Sequence, residues 1–534
     1  MTHGMVSAPQ PEAVEAGIDI LAAGGNAIDA AIGAAFVQTV VDPQMCGIAG
    51  FGSCHLVLAD GTHKIIDFHG RAPKAVKPDM WENLIVRECD DGFGFVLKGE
   101  VNEIGYQSMT TPMTLKAFDE ILSKWGTQSL EDMMQPAIQY CEKGFQVRPS
   151  VYNFWTRPAE AGRIARERGQ TKYPATAKIY TGDDGKVLGI GDLLRNPDMG
   201  RTYRRIAGSG IKEFYTGKIA DEIVADMQKH KGLILHEDLA ACETVETDPL
   251  WTTYRGHRIA TNQPPGGGLM IAIMLNILER FDLARRGHNS PEYIAIVAEA
   301  MKFATVEKDR AMGDPTFVDI PIERMLSEDY AMAISAKIRK GEKVHVPRLN
   351  SGGESKETTH ICVADEHGNC VSMTHSLGSS SGVVTEGLGF MYNNCMMVFD
   401  PRPGKVGSLA PGKARFSAMS PTIVFRGDRP FLMLGSPGGT TITMGNLQTI
   451  LNVIDFGMDA QQAVSAPRFT ATSDTIELTN RILRSTEKSL QDMGYPTKRL
   501  PYSYFMPSVH AIRTQYAEFD GGADPNNDGM AMEI

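Results

Sequence analysis

The sequence contains no run of about 20 apolar residues, the length a membrane-spanning helix needs. The longest candidate, Ala27 to Val41, is interrupted by Asp29 and Gln38 and reads as a buried helix. The opening MTHGMVSAPQPEA lacks a basic stretch followed by an apolar one, so no secretory signal is visible there. Cysteine is sparse: eight residues, scattered and without a Cys-x-x-Cys pair. That pattern disfavours a zinc or redox centre and leads to the expectation of reduced thiols in a cytoplasmic protein. Basic tracts are missing too. With 53 basic against 64 acidic side chains the net charge is −11, so nucleic acid is not an expected partner, and neither is a membrane. The glycine-rich CGIAGFGS segment (Gly47, Gly50, Gly52) has neither GxGxxG order nor a following lysine. It predicts close backbone packing rather than a phosphate cradle. His55, His63 and His69 match no common ligand spacing, and no metal is expected.

What is present is the composition of an ordinary globular protein, 42% apolar and 22% charged. Pro11 suits a first helical turn, Val14, Ile18 and Leu21 share one face, and Gly24-Gly25 stop that helix. The alanine-dense NAIDAAIGAAFVQTVV predicts a second, interior helix. A strand at HLVLA then turns at Asp60-Gly61. From about residue 110 to 350 the pattern reads as helices and loops. Within it, SPEYIAIVAEAMKFATVEKDRAM forms an amphipathic helix with Ile294, Val297, Met301 and Val306 on one stripe. A polar stretch expected to be flexible, RLNSGGESKE, precedes a change of texture. Strands over 358–364 and 370–377 flank the turn DEHGN, and a second hairpin is expected at SPTIVF–RGDRP–FLMLG. A helix runs toward Ile454, and another starts at Asp459 with Gln462 completing a capping box. Met391, Met396 and Met397 read as core or pocket lining. Helices, hairpins and helices again imply an α+β fold with sheets covered by helices in one intertwined unit.

The chemistry points to Thr358. A Thr pair opening a strand is by itself ordinary β-sequence. Here it follows a polar, glycine-bearing segment able to be exposed in a precursor, so cleavage before Thr358 would place a new α-amine on a rigid element. A threonine hydroxyl needs a neighbouring base, and a terminal amine of pKa about 7.7–8.0 can be that base. Downstream, SPGGT offers adjacent glycines whose N–H groups can approach an oxyanion closely. Neither a metal nor an organic cofactor is required.

Several motifs then resemble one family. TTHICVADEHGN, GFMYNN, FSAMSPTIV and LGSPGGT occur in the order and spacing of the γ-glutamyltranspeptidase small subunit. GMVSAPQPEAVEAGIDILAAGGNAIDAAI, the APKA segment and AEAMKFATVEKDRAMGDPTFVDIP resemble its large subunit. The resemblance spans nearly the whole chain. It implies a four-layer αββα sandwich of the N-terminal-nucleophile type and self-cleavage between Glu357 and Thr358. The products would be a large chain, 1–357, and a small catalytic chain, 358–534, intertwined in one unit. It leaves the oligomeric state open, a dimer of heterodimers included. It also implies Gly438 and Gly439 as the oxyanion hole, with Thr359 and Ser376 beside the nucleophile; Ser376 replaces a usual Thr and keeps the hydroxyl.

The substrate-binding pattern departs from the family. The usual D-Y/F-R-E-x-A-P reads Asp67 to Pro73 with His69 at the arginine position, although Arg71 lies two residues on. The Asn that helps hold the substrate's amino group aligns with Gly378, its acidic partner with Val398, and the second of two serines with Ala418, while Ser417 remains. An ammonium in an apolar pocket needs a partner, so these losses predict a kept engine and a changed substrate. Arg71, His69 and His375 are the candidate anion binders. The expected function is hydrolysis of a small or medium amide, with or without a carboxylate, as in oxamate-amidohydrolase-like or cephalosporin-acylase-like branches. γ-Glutamyl transfer or glutathione hydrolysis is the alternative. An inactive binding homologue is disfavoured by the intact Thr358, Ser376 and SPGGT.

Overall fold

Thirteen short strands form two antiparallel sheets in the computed structural model, which describes residues 2–90, 94–160, 162–347, 358–504, 507–515 and 518–534. In chain order they are β1 (Gly4–Ala8), β2 (Phe51–Val57), β3 (His63–Phe68), β4 (Val245–Thr247), β5 (Leu250–Tyr254), β6 (His257–Thr261), β7 (Thr359–Asp365), β8 (Cys370–Ser376), β9 (Thr422–Arg426), β10 (Arg429–Gly435), β11 (His510–Gln515), β12 (Glu518–Ala523) and β13 (Met530–Glu533). One sheet has the order β13-β1-β7-β8-β2-β3-β4 and the other β12-β11-β10-β9-β6-β5. Each sheet combines strands from before and after Thr358.

Alternation along the strands sorts three cores. Val6, Ile361, Val363, Val371 and Met373 pack outward against α1 (Pro11–Ala22) and α2 (Ala27–Val41). Their neighbours Met5, Cys362, Ala364 and Cys370 point inward and meet Ala260, Ile423, Met433 and Ile512 of the second sheet. Ile259, Val424, Leu432 and Leu434 face outward again, under α3 (Gly268–Leu278), α4 (Pro291–Ala311) and α5 (Ile442–Ile454). The result is the four-layer αββα sandwich that the motifs imply.

Local signals account for many boundaries. Asn26 caps α2 by accepting from the N–H groups of Ile28 and Asp29, and Asp29 returns a bond to the Asn26 N–H. All 15 residues of α2 are buried, as its alanine density predicts. Gly50 and Gly52 are the close approaches expected: a Cβ there would meet the Ser376 and Thr374 carbonyl oxygens at 2.3 Å in both cases. Three expectations need correction. The segment before residue 350 is not all helix and loop, because the hairpin β5–β6 supplies the edge of the second sheet, turning at Arg255 and Gly256 with φ of 49° and 77°. The strand β1, ahead of α1, was not anticipated. α4 is buried on most sides rather than amphipathic, so it encloses a Glu299–Lys302 ion pair at 3.2 Å, while Val306 is only half-buried.

Candidate active site

Thr358 immediately precedes β7, whose register with β8 sets Thr359 opposite His375. Even-numbered positions of both strands face the second sheet and odd-numbered ones face α2, so Thr358 and Ser376 fall on the inter-sheet side. The Thr358 hydroxyl donates to Ser376 Oγ at 3.2 Å, and the Gly378 N–H donates to the same oxygen at 2.8 Å. Glu357, the other half of the expected cleavage site, lies outside the described residues.

A cavity of about 40 Å³ opens on Thr358, room for about three waters at 10–15 Å³ each. Its walls bring together Gly378, Val398, Ser417 and Ala418, all expected at the site, with Met397 adding apolar surface. Gly439 lies on its rim, and Gly438 and Gly439 have φ of 153° and 56°, conformations that favour glycine. The Gly438 carbonyl accepts from the Thr441 hydroxyl at 2.8 Å and the Thr441 N–H at 3.2 Å. Because the peptide is planar and trans, this aims the Gly439 N–H the opposite way. α5 starts directly after this turn, adding the positive end of its dipole.

Thr359 and His375 point to the opposite face, into a polar network beneath α2. Thr359 Oγ1 accepts from Gln10 Nε2 at 2.9 Å and Gln38 Nε2 at 3.1 Å. His375 Nε2 donates to Gln38 Oε1 at 2.8 Å, and Gln10 Nε2 donates to Asp42 at 2.5 Å. Burial pushes the Asp42 carboxyl up to about 6 against the opposing pull of Arg148. His375 is therefore not an anion binder. It is fully buried, held down to about 3 by desolvation, and packs edge-on to Phe118 at 5.4 Å. Its neutral ring braces the start of β7. Sequence reading missed Gln10 and Gln38; a glutamine inside an otherwise apolar helix is the signal that marks the second. Gln38→Leu leaves the His375 Nε2–H without its acceptor at a cost of about 1–3 kcal/mol, while Thr359 keeps Gln10. We expect a lower melting temperature and slower chain splitting, followed by calorimetry and gel time course.

The two other expected anion binders are also engaged away from the cavity. His69 Nδ1 sits 2.5 Å from Asp67 Oδ1, behind Phe51. Burial raises the Asp67 carboxyl, but His69 and Arg71 bring it below its usual range. The Arg71 guanidinium reaches Asp314 at 3.4 Å and the Gly412 carbonyl at 3.3 Å, and its backbone bridges Ala414. It clamps the 412–414 segment. The cation that does line the cavity is Arg415, which sequence reading passed over. His55 and His63 pair with each other at 2.7 Å, apart from His69, and no cluster of three metal-ligating side chains occurs among the described residues.

Comparison with known proteins agrees with this geometry. The Gamma-glutamyltranspeptidase family matches residues 13–534. The acylase ACY 1 proenzyme of Pseudomonas sp. (strain V22) is 37% identical over 94% of this chain and 88% of its own length. The glutathione hydrolase proenzyme of Bacillus subtilis (strain 168) is 32% identical over 99% of this chain and 91% of its own. The solved cephalosporin acylase from Bacillus halodurans superposes with a TM-score of 0.88 at 28% identity, covering 99% of this chain and 96% of that one. The chain belongs to the γ-glutamyltranspeptidase family of N-terminal-nucleophile amide hydrolases and transferases.

Proposed function

We propose that this enzyme cleaves itself between Glu357 and Thr358 and then hydrolyses small or medium amides through an acyl-Thr358 intermediate. The observation that carries the reading is the Thr358 hydroxyl on Ser376 inside a cavity rimmed by Gly439 at the head of α5. The freed α-amine takes the hydroxyl proton as Oγ1 attacks the substrate carbonyl. The Gly438 and Gly439 N–H groups receive the oxyanion. Collapse breaks the C–N bond, and the proton held by the amine passes to the leaving nitrogen. Water, activated by the same amine, then releases the acid. The proposal includes two intertwined chains, 1–357 and 358–534. It also includes a cytoplasmic location, which cell fractionation checks; all eight cysteines are buried.

Substrate choice follows from what lines the cavity. Val398 and Ala418 are apolar, no Asp or Glu is among the lining residues, and Arg415 adds positive charge. A substrate ammonium meets no carboxylate among the lining residues and is repelled by Arg415, so its desolvation is poorly offset. This favours an acylase-like reaction, as the name of the Pseudomonas relative suggests. The glutathione hydrolase name of the Bacillus relative keeps γ-glutamyl transfer as the second reading. Paired anilides decide between them. Wild type should prefer an acyl anilide without an α-amino group over γ-glutamyl anilide by about 100-fold in kcat/KM, and Val398→Asp should raise glutamyl turnover about tenfold. Equal or better handling of glutathione by wild type would install the second reading.

A further inference from the structure

Ser376 accepts the Thr358 hydroxyl, and a serine alone is a loose holder. It lacks the β-methyl that restricts χ1 in threonine, so something outside it must set where its oxygen points. The Gly378 N–H does so, donating to Ser376 Oγ at 2.8 Å. Behind that bond stands the end of the GFMYNN motif. Asn394 is fully buried and lines the Thr358 cavity. Its backbone N–H donates to the Leu377 carbonyl at 2.9 Å. That carbonyl shares a planar, trans peptide with the Gly378 N–H, so holding the one from behind aims the other at Ser376. On the next peptide the Ser379 N–H donates to Asn394 Oδ1 at 2.6 Å. The other end of the amide, Nδ2, donates to the Glu103 carbonyl at 2.8 Å. A flipped amide would face acceptor with acceptor and donor with donor, so these neighbours allow one orientation. Asn393 Nδ2 donates to the Ala49 and Thr110 carbonyls at 2.9 and 3.0 Å and fixes where Asn394 begins.

We propose that Asn394 is a positioning residue for the nucleophile. Its side-chain amide sets the turn over 377–379, whose Gly378 N–H locks Ser376 Oγ and, through it, Thr358 Oγ1. This rests on Thr358 as the nucleophile. Gly378 suits the turn because its φ is 75° and because a Cβ there would meet Asn394 Oδ1 at 2.6 Å. Both ends of the amide are engaged by backbone groups. Asn394 therefore governs the rate at which Thr358 is acylated rather than substrate affinity.

The test is a double-mutant cycle read as the p-nitrophenol burst from p-nitrophenyl acetate, with the Thr358→Ala background subtracted. Asn394→Ala should slow the burst about five- to tenfold while the half-saturating concentration stays within about twofold. Asn394→Asp, which keeps the Oδ1 acceptor, should remain within about threefold of wild type. In a Ser376→Ala background, Asn394→Ala should cost less than about twofold more, because the lock it serves is already gone. A side chain that only packs would cost the same factor in both backgrounds. Losses that multiply in the double variant, or a wild-type burst in Asn394→Ala, overturn the assignment. A folded Asn394→Ala that stays unsplit goes through the same cycle with the rate of chain splitting in cell-free synthesis as the readout. If Asn394→Ala lacks a cooperative melting transition, Gly378→Ala displaces Oδ1 from the loop side and is judged by the same cycle. If wild type gives no burst above Thr358→Ala, the nucleophile reading itself has failed and the assignment of Asn394 falls with it.

Discussion

Thr358→Ala is expected to remain a single chain of 534 residues and to hydrolyse amides at least about 10⁴-fold more slowly than wild type. Removing the hydroxyl deletes the group that attacks the Glu357–Thr358 peptide and the group that later carries the acyl chain, so one change blocks both reactions. Thr358→Ser keeps the oxygen and should split and turn over, more slowly, because the lost methyl no longer fixes the side-chain rotamer. Ser376→Ala removes the acceptor of the Thr358 hydroxyl and should lower kcat about tenfold while leaving the nucleophile. Denaturing gels and anilide kinetics report both steps. A Thr358→Ala protein that still divides into 1–357 and 358–534, or still turns over, would refute the assignment.

Acidification from pH 6.5 to 5 should remove on the order of 4 kcal/mol of stability, a large share of the 5–15 kcal/mol usual for a folded protein. Burial holds His375 and His510 down to about 3, with Arg468 adding to the effect at His510, and keeps His360 well below its ordinary value. Each is neutral in the fold but protonates near 6.5 when unfolded. Between those values the unfolded chain binds more protons. The stabilisation is therefore complete above about pH 6.5 and is lost as pH falls toward 3, at about 1.4 kcal/mol per unit for each histidine. Asp42 opposes this. Its folded pKa, raised to about 6, makes the native state bind a proton first between about 6 and 3.8, a gain that one group supplies against three losses. Urea unfolding at pH 7.5, 6.5, 5.5 and 5.0 measures the slope. A flat profile would mean that these histidines are solvated or charged in the native protein.

The parts of the fold legible in the sequence are those written locally. DEHGN and RGDRP turn two hairpins, Asp459 with Gln462 caps a helix, and the apolar run from Ala27 declares an interior helix; all are present. β1 and β13 are not legible, because each is short and acquires its meaning from pairing with strands hundreds of residues away. β5 and β6 are hidden for a related reason: Trp-Thr-Thr-Tyr lies at a sheet edge and lacks the apolar alternation of a central strand.

At the site the same division holds. Thr358, Ser376, Gly438, Gly439, Val398 and Ala418 belong to contiguous motifs, and all but Ser376 and Gly438 are on the cavity wall, those two lying against it. The charges are different. Arg71 and Arg415 carry the same guanidinium, and only the position of Asp314, far away in sequence, makes one a clamp and leaves the other open to the cavity. His375 is excluded from anion binding by strand alternation alone, which puts its ring under α2 while Ser376 faces the nucleophile.

The central claim is that the Thr358 oxygen carries the acyl group, and mass spectrometry of acid-quenched enzyme tests it most directly. Enzyme mixed with a hydrolysable anilide, stopped within one turnover and digested should yield an N-terminal small-chain peptide beginning at Thr358 and heavier by the acyl mass. The added mass should be absent from Thr358→Ala and should disappear when the reaction runs to completion before quenching. An acyl group found on another residue, or turnover with Thr358 never modified and never exposed as a chain terminus, would contradict the account.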